Sequence, residues 1–210
     1  MNRCLVCDKV IESLFSNIFD SQDKVCYSCF NKLDRRNDKF IINKCEGRIL
    51  YYYNDYFKEI LYRYKGSGDY LLRDIFLVNE KEKIKRKYRG YSIVIAPSYI
   101  GLETKRGFCH LEGIFETLNM PIIKCFRKEV PWKQSDKKLG ERSNIQNIIK
   151  IDKSMLVGVK KVLIVDDVMT SGSTIKTMIS QIPPNIKKKV LVLSSNCRIL
   201  KNEIVWNKLI

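Results

Sequence analysis

The segment Val162–Thr174 constrains the fold more than any other part of the chain. Its first four residues are apolar and three of them are β-branched, which is typical of a short buried strand. Two adjacent carboxylates, Asp166 and Asp167, close this run, and a turn of small hydroxyl residues around Gly172 follows. Apolar residues then recur at spacings of three and four from Ile175 onwards, as in an amphipathic helix. The segment therefore predicts a strand, an acidic pair, a loop and the first turn of a helix.

This order of elements suits a phosphorylated sugar. A loop that opens a helix offers unpaired backbone N–H groups and the positive end of the helix dipole, which together bind phosphate. The two carboxylates would repel a phosphate, so we expect them to serve neighbouring hydroxyl groups or Mg²⁺. A ribose 5-phosphate meets both requirements. The alternative interpretation is a core strand followed by a polar turn, whereas a P-loop NTPase is disfavoured because the chain has no G-x-x-x-x-G-K-[ST] motif.

The same segment resembles the signature with which type I phosphoribosyltransferases bind phosphoribosyl pyrophosphate (PRPP). That resemblance implies that Asp166 and Asp167 are catalytic residues that hold the 2- and 3-hydroxyls of the ribose, and that Mg²⁺ is bound together with PRPP. It also implies that the loop after the acidic pair, together with the residue that leads into it, binds the 5-phosphate. The predicted binding residues here are Met169, Thr170, Ser171, Gly172, Ser173 and Thr174.

A second predicted ligand contact follows another strand. The run from Tyr91 to Ala96 is apolar and rich in β-branched residues, and it breaks at Pro97 and Ser98. In α/β sheets ligands gather beyond the carboxyl ends of strands, so this turn and the acidic pair are expected to face one ligand. Arg106, in the loop that follows, is predicted to neutralise the pyrophosphate.

The remaining patterns complete an α/β domain. A helix is predicted over Tyr56–Tyr64, and another from Tyr70 towards Arg86. A further strand is predicted from Pro121 to Phe126, and alternation of strands with helices implies a mostly parallel sheet flanked by helices. The polar segment Arg127–Asn147 is predicted to be a lid or a binding loop because it is long and lacks periodicity. We interpret His110, the only histidine, as a surface or capping residue rather than a catalyst.

Two Cys-x₂-Cys motifs lie near the N-terminus with 18 residues between them, which is the spacing of a structural zinc site. Cys4, Cys7, Cys26 and Cys29 are the predicted ligands, with a redox pair or unrelated thiols as the alternatives. Four thiolates leave no open coordination position, so no catalysis is assigned to this metal. Cys45 has no such partner and is interpreted as a free thiol. We therefore predict a zinc-binding module over residues 1–46 and a phosphoribosyltransferase-like domain over residues 47–210.

Charge points to a polyanionic partner. The chain carries 39 basic and 23 acidic residues, a formal charge of +16, and nucleic acid is the leading candidate ligand for such a surface. A solvated basic surface without a partner is the alternative. The sequence has no run of 18 apolar residues, so we expect no membrane insertion and a cytoplasmic location.

Together the cysteine motifs and the acidic pair resemble the competence protein F (ComF) family, which joins a small zinc module to a type I phosphoribosyltransferase-like domain. Further matches are Tyr64-Lys65-Gly66, Ile95-Ala96-Pro97, Arg106-Gly107-Phe108 and the spaced residues Arg127, Gln134, Arg142 and Asn144. The chain departs from the family in two places. Cys109-His110 stands where Asn-Gln usually follows, and the second pair of cysteine knuckles found in many members is missing.

The resemblance implies a competence and DNA-uptake factor. Such a protein assists the entry of single-stranded DNA during natural transformation, alongside a helicase-like ATPase and a recombination mediator, and has a PRPP-binding site. The alternative is a nucleotide-salvage phosphoribosyltransferase that transfers phosphoribosyl from PRPP to a nitrogenous base.

Overall fold

The computed structural model describes residues 2–11, 24–128 and 148–195, and every structural statement below concerns these residues. The strands are β1 Arg35–Ile42, β2 Cys45–Tyr52, β3 Ser92–Ile95, β4 Ile122–Ile123, β5 Phe126–Lys128, β6 Ile149–Ile151, β7 Lys161–Met169 and β8 Lys187–Ser195. The α-helices are α1 Tyr27–Asn31, α2 Asp55–Lys65, α3 Lys81–Lys87, α4 Ile100–Arg106, α5 His110–Phe115 and α6 Ser173–Gln181. Short 3₁₀ helices cover Tyr70–Ile75, Glu116–Leu118 and Lys153–Leu156.

Six strands form one sheet in the order β1-β2-β8-β7-β3-β4. Every neighbouring pair is parallel except β1 and β2, which form an antiparallel hairpin at one edge. Strands β5 and β6 form a separate two-stranded antiparallel pair. The predicted class, an α/β domain with a mostly parallel sheet flanked by helices, is confirmed.

The two central strands explain why their sequences read as continuous apolar runs. Residues 162–165 of β7 and 190–193 of β8 are fully buried, because helices and loops cover both faces of the sheet. Helix α5 packs against β3 and β7. The core therefore holds β7 rigidly just before its sequence turns polar at Asp166.

Helix α2 packs two aromatic side chains, Phe57 and Tyr64, into the core beside the sheet. The side chain of Asn54 accepts a hydrogen bond from the backbone N–H of Phe57, which caps the helix. Phe57, Ile60, Leu61 and Tyr64 recur at spacings of three and four and are all buried. The helix ends at Lys65, and the side chain of this residue reaches Asp167 of the acidic pair.

The structure corrects three predicted boundaries. Strand β7 does not end at the acidic pair, since its ladder with β8 continues to Met169. The helix predicted from Tyr70 towards Arg86 is a 3₁₀ helix, a turn and the short helix α3. Consecutive residues 75–77 are all fully buried, and one face of a continuous α-helix cannot bury three neighbours. The strand predicted over Pro121–Phe126 is divided between β4 and β5.

The N-terminal segment joins the sheet earlier than predicted. Strand β1 lies at residues 35–42 and pairs with β2 in the main sheet, so the predicted division after residue 46 falls inside β2. The division into two domains remains a prediction, and its cysteine part ends before β1.

The predicted loop Arg127–Asn147 lies outside the described residues beyond Lys128, as do the family positions Gln134, Arg142 and Asn144. No helix in the described ranges is long and apolar enough to cross a bilayer.

Candidate functional site

The loop between β7 and α6 encloses a cavity of about 170 Å³. Its walls are Asp166, Val168 and every residue from Met169 to Ile175. A cavity of this size accepts a phosphate group rather than a whole nucleotide, since small-molecule sites usually measure about 300–1,000 Å³. The predicted binding residues at positions 169–174 are therefore brought together around one small space.

Gly172 shapes the loop. Its φ of 72° lies in the left-handed region that side chains rarely adopt, and a Cβ there would lie 2.9 Å from Ile42 Cδ1. The first intrahelical hydrogen bond runs from the N–H of Lys176 to the carbonyl of Gly172 at 2.8 Å. The preceding N–H groups have no intrahelical acceptor, which is the arrangement that binds anions. The hydroxyls of Ser171 and Ser173 lie 2.7 Å apart at the same rim.

The two carboxylates of the acidic pair point to opposite sides of β7, because successive side chains alternate along a strand. Asp166 lines the cavity, whereas Asp167 is only 6% exposed and does not line it. Burial and the neighbouring charge of Asp167 raise the pKa of Asp166 to about 8. In the absence of a cation, Asp166 therefore tends to keep its proton near neutral pH.

Asp167 is held by two basic side chains. Lys65 Nζ lies 2.5 Å from Asp167 Oδ2, and His110 Nε2 lies 3.2 Å from the same oxygen. Burial alone would raise the pKa of Asp167, but the charge of Lys65 and the hydrogen bond from His110 hold it well below the usual range. Asp167 is therefore an ionised carboxylate, and its Oδ2 already accepts hydrogen bonds from Lys65 and His110.

Arg106 belongs to the same hydrogen-bond network as Lys65 and His110. Its Nε donates to the carbonyl of Lys65 at 2.6 Å, and its Nη1 lies 3.1 Å from His110 Nδ1. A guanidinium only donates, so Nδ1 accepts and Nε2 carries the hydrogen that is donated to Asp167. Ser98 Oγ also approaches Nδ1, at 3.4 Å, and Pro97 is half-buried beside it at the end of β3.

The predicted site residues thus form two groups, one on each side of β7. Asp166 and residues 169–174 surround the cavity, while Ser98, Arg106 and Asp167 meet around His110. The interpretation of His110 as a surface or capping residue is wrong, since the side chain is buried at the centre of the second group. Lys65 was noted only as part of a family match. Its partner lies 102 residues away in the sequence, so local pattern gave no sign of the ion pair.

The four N-terminal cysteines converge as predicted. The sulfur atoms of Cys4, Cys7, Cys26 and Cys29 all lie within 4.8 Å of one another, and Cys7 Sγ and Cys26 Sγ are 3.8 Å apart. A tetrahedral zinc ion with Zn–S bonds of about 2.3 Å requires sulfur atoms about 3.8 Å apart. The cluster therefore fits a structural metal ion such as zinc.

Comparison with known proteins finds two relatives that are similar in sequence to most of the chain. No family model matches the chain. The chain is 27% identical to competence protein ComFC of Streptococcus pneumoniae (strain ATCC BAA-255 / R6), over 82% of this chain and 90% of the relative. It is 26% identical to competence protein ComFC of Bacillus subtilis (strain 168), over 82% of this chain and 85% of the relative.

Among the similar solved structures is adenine phosphoribosyltransferase of Saccharomyces cerevisiae. It is 12% identical, with a TM-score of 0.38 over 82% of this chain and 90% of that protein, a likeness too low to carry an argument. Each sequence relative covers 82% of the chain, and the cysteine cluster and the loop lined by residues 166–175 agree with the resemblance drawn from the sequence. The chain is accordingly similar to proteins of the competence protein F (ComF) family, in line with the resemblance drawn from its sequence.

Proposed function

We propose that the protein is a competence factor that assists the entry of single-stranded DNA in natural transformation, and that the cavity at Asp166 binds PRPP or a related phosphosugar. The observation that carries this proposal is the similarity to two competence proteins across 82% of the chain. A helicase-like ATPase and a recombination mediator are its proposed protein partners.

The proposed phosphosugar contacts follow from the geometry of the cavity. The 5-phosphate would accept hydrogen bonds from the first N–H groups of α6 and from the hydroxyls of Ser171 and Ser173. Asp166 would accept from the ribose hydroxyls or ligate Mg²⁺, the ion that would link pyrophosphate to the sugar. Binding a cation there would displace the proton of Asp166, so affinity for PRPP with Mg²⁺ should rise as the pH approaches 8.

The state of Asp167 favours binding over turnover. For both carboxylates to hold one ribose, Asp167 would have to leave Lys65 and His110 and turn towards the cavity. The predicted pyrophosphate contact Arg106 is likewise bound to Lys65 and His110. We therefore assign Asp166 to ligand contact, and we assign the network of Asp167 to holding β7, α2, α4 and α5 together.

Helix α3 is the proposed contact for DNA. Arg86 and Arg89 are exposed at its basic end, within a run of lysines and arginines from Lys81 onwards. Charged side chains that neutralise phosphates give affinities that fall steeply with salt. The overall charge of +16 has the sign that such binding requires.

The test is fluorescence anisotropy with a labelled single-stranded oligonucleotide at about 50 and about 200 mM salt. We expect binding at low salt, a loss of affinity at high salt, and a shallower salt dependence in the double variant Arg86→Gln/Arg89→Gln, with a slope smaller by about one to two. Lys58→Gln, which removes one exposed charge from α2, is the control and should behave as the wild type. Absence of binding at low salt would refute the DNA part of the proposal.

Phosphoribosyl transfer is the second candidate function, and the presence of Asp166 in the cavity favours it. Release of pyrophosphate from PRPP in the presence of Mg²⁺ and each of a set of nitrogenous bases measures it directly. A base-dependent release that Asp166→Asn abolishes would establish a salvage enzyme. If no base causes pyrophosphate release but the protein still binds PRPP, the site serves binding rather than phosphoribosyl transfer.

A further inference from the structure

A second cavity lies beside the β1–β2 hairpin and shares no wall residue with the cavity at Asp166. Its volume is about 370 Å³, and its walls come from β1, β2, β8 and the segment that begins at the end of α3. Lys189 pairs in register with Leu163 of β7, whereas β7 lines the first cavity only from Asp166 onwards. None of the residues of the segment Val162–Thr174 lines this second cavity.

Four basic side chains line this cavity, and the strand register explains how they meet. Lys39 of β1 lies directly opposite Arg48 of β2, so the two project from the same face of the hairpin. Lys189 enters from β8 and is ion-paired with Glu46. Lys87 arrives from the last turn of α3, beside the buried ring of Tyr88.

The charges in the cavity are not balanced. Glu46 is the one carboxylate in its wall, and it already pairs with Lys189, so the lining carries a net charge of about three positive units. Burial and the nearby charges of Arg48 and Lys39 lower the pKa of Lys87. Like charges placed close together repel one another, and an anion bound among them would offset that repulsion.

Arg48 provides a second, independent sign of a missing partner. Its Nη2 donates to Asn37 Oδ1 at 3.2 Å, but its Nε is buried and has no hydrogen-bond partner among the described residues. A buried donor without an acceptor destabilises the folded protein. An acceptor placed in the cavity would remove this penalty, and a guanidinium presents its N–H groups in a fork that matches phosphate oxygens.

We propose that this cavity binds a small phosphorylated molecule of nucleotide size, with its phosphates on Arg48, Lys39 and Lys87. The volume falls within the range of small-molecule sites, about 300–1,000 Å³. The basic groups line one cavity, whereas a nucleic-acid backbone is followed by charges along a groove. The proposal stands on this cavity alone and does not depend on the function proposed for Asp166.

Isothermal titration calorimetry of the full-length protein with ADP, without Mg²⁺, tests the proposal. We expect ADP to bind the wild type, and Arg48→Gln to weaken binding by about tenfold or more through the loss of a charge-assisted contact. Lys85→Gln, which removes the same charge from α3 outside the cavity, should bind as the wild type. Ser173→Glu, which places a negative charge at the other cavity, should also leave ADP binding unchanged.

Far-UV circular dichroism shows whether Arg48→Gln is folded. If it is not, Lys39→Gln at the exposed edge strand provides the same measurement, with the same expected loss. The proposal is overturned if millimolar ADP does not bind, if the wild type and both cavity variants bind it equally, or if Ser173→Glu rather than Arg48→Gln abolishes binding. It is also overturned if a single-stranded oligonucleotide shows Arg48-dependent binding and ADP shows none.

Discussion

Asp166 and Asp167 are neighbours in the chain but meet opposite surroundings. Asp166 opens into a cavity with no basic side chain in its wall, so burial disfavours its charge. Asp167 accepts from Lys65 and His110, so its charge is stabilised. The alternation of a β-strand thus gives two identical side chains different protonation states.

These states predict opposite effects of neutralising each residue. The pKa of Asp166 is raised from 3.8 to about 8, so the folded protein retains a proton that the unfolded chain releases, and stability falls as the pH rises through this window. Asp166→Asn should therefore be more stable than the wild type, with a gain that grows between pH 5 and pH 8. Urea unfolding at both pH values measures this difference.

Asp167→Asn should instead destabilise the protein by about 2 kcal/mol at pH 7, because it removes hydrogen bonds to a charged group. The lowered pKa of Asp167 contributes stability above its unfolded value, and this contribution is lost as the pH falls towards the folded value. The penalty of the variant should accordingly shrink in acid. Equal losses for both variants at every pH would contradict the assigned protonation states.

His110 shows why one site residue escaped sequence reasoning. Its four polar neighbours come from β7, α4, α2 and the turn after β3, and no spacing in the sequence links them. Tyr64 OH donates to the backbone carbonyl of His110 at 2.7 Å, which fixes the start of α5. The histidine orients Asp167 and is a positioning residue in this arrangement.

At the scale of elements, the cysteine cluster is attached to α2 by specific contacts. Tyr56 OH donates to the carbonyl of Cys29 at 2.8 Å, and Arg63 Nη1 donates to the carbonyl of Val6 at 2.9 Å. The cysteine segment is short, so a metal ion would supply most of the stability of the cluster. Loss of the metal should then release both contacts with α2.

We therefore expect about one zinc ion per chain by elemental analysis. Cys26→Ser should lose the metal and lower the thermal midpoint, because three thiolates hold zinc less tightly and the contacts with α2 depend on the folded cluster. Cys45→Ser is the matched control, since Cys45 lies outside the cluster and should leave metal content unchanged. Full zinc content in Cys26→Ser would contradict the assigned ligand set.

Elements with strong local patterns were predictable, and those governed by distant packing were not. The apolar run of β7 and the spacing of Ile175, Met178 and Ile179 in α6 gave the strand and the helix that flank the cavity. The extension of β7 through Asp166 and Asp167 depends on its ladder with β8, which local sequence does not encode. The break in the helix predicted from Tyr70 likewise depends on burial of three consecutive residues by the surrounding core.

At the scale of the whole molecule, the sheet separates two candidate ligand sites. The predicted cavity lies beyond the carboxyl end of β7, where ligands of parallel sheets usually bind. The cavity at Arg48 lies beside the β1–β2 hairpin, which the predicted division at residue 46 assigned in part to the zinc module. Sequence reasoning therefore found the first cavity through its motif and had no means to find the second.

The account depends most on the cavity at Asp166 being a phosphosugar site. Calorimetric titration of PRPP with Mg²⁺ into the wild type, Ser173→Glu and Ser180→Glu tests this most directly. A glutamate at residue 173 suits the first turn of α6 and should preserve the fold, but its charge would repel the 5-phosphate. Ser180→Glu adds the same charge near the exposed far end of the same helix.

We predict that the wild type and Ser180→Glu bind PRPP with similar affinity, and that Ser173→Glu binds it about tenfold more weakly or worse. Equal affinity of the wild type and Ser173→Glu, or no binding by the wild type, would contradict the account.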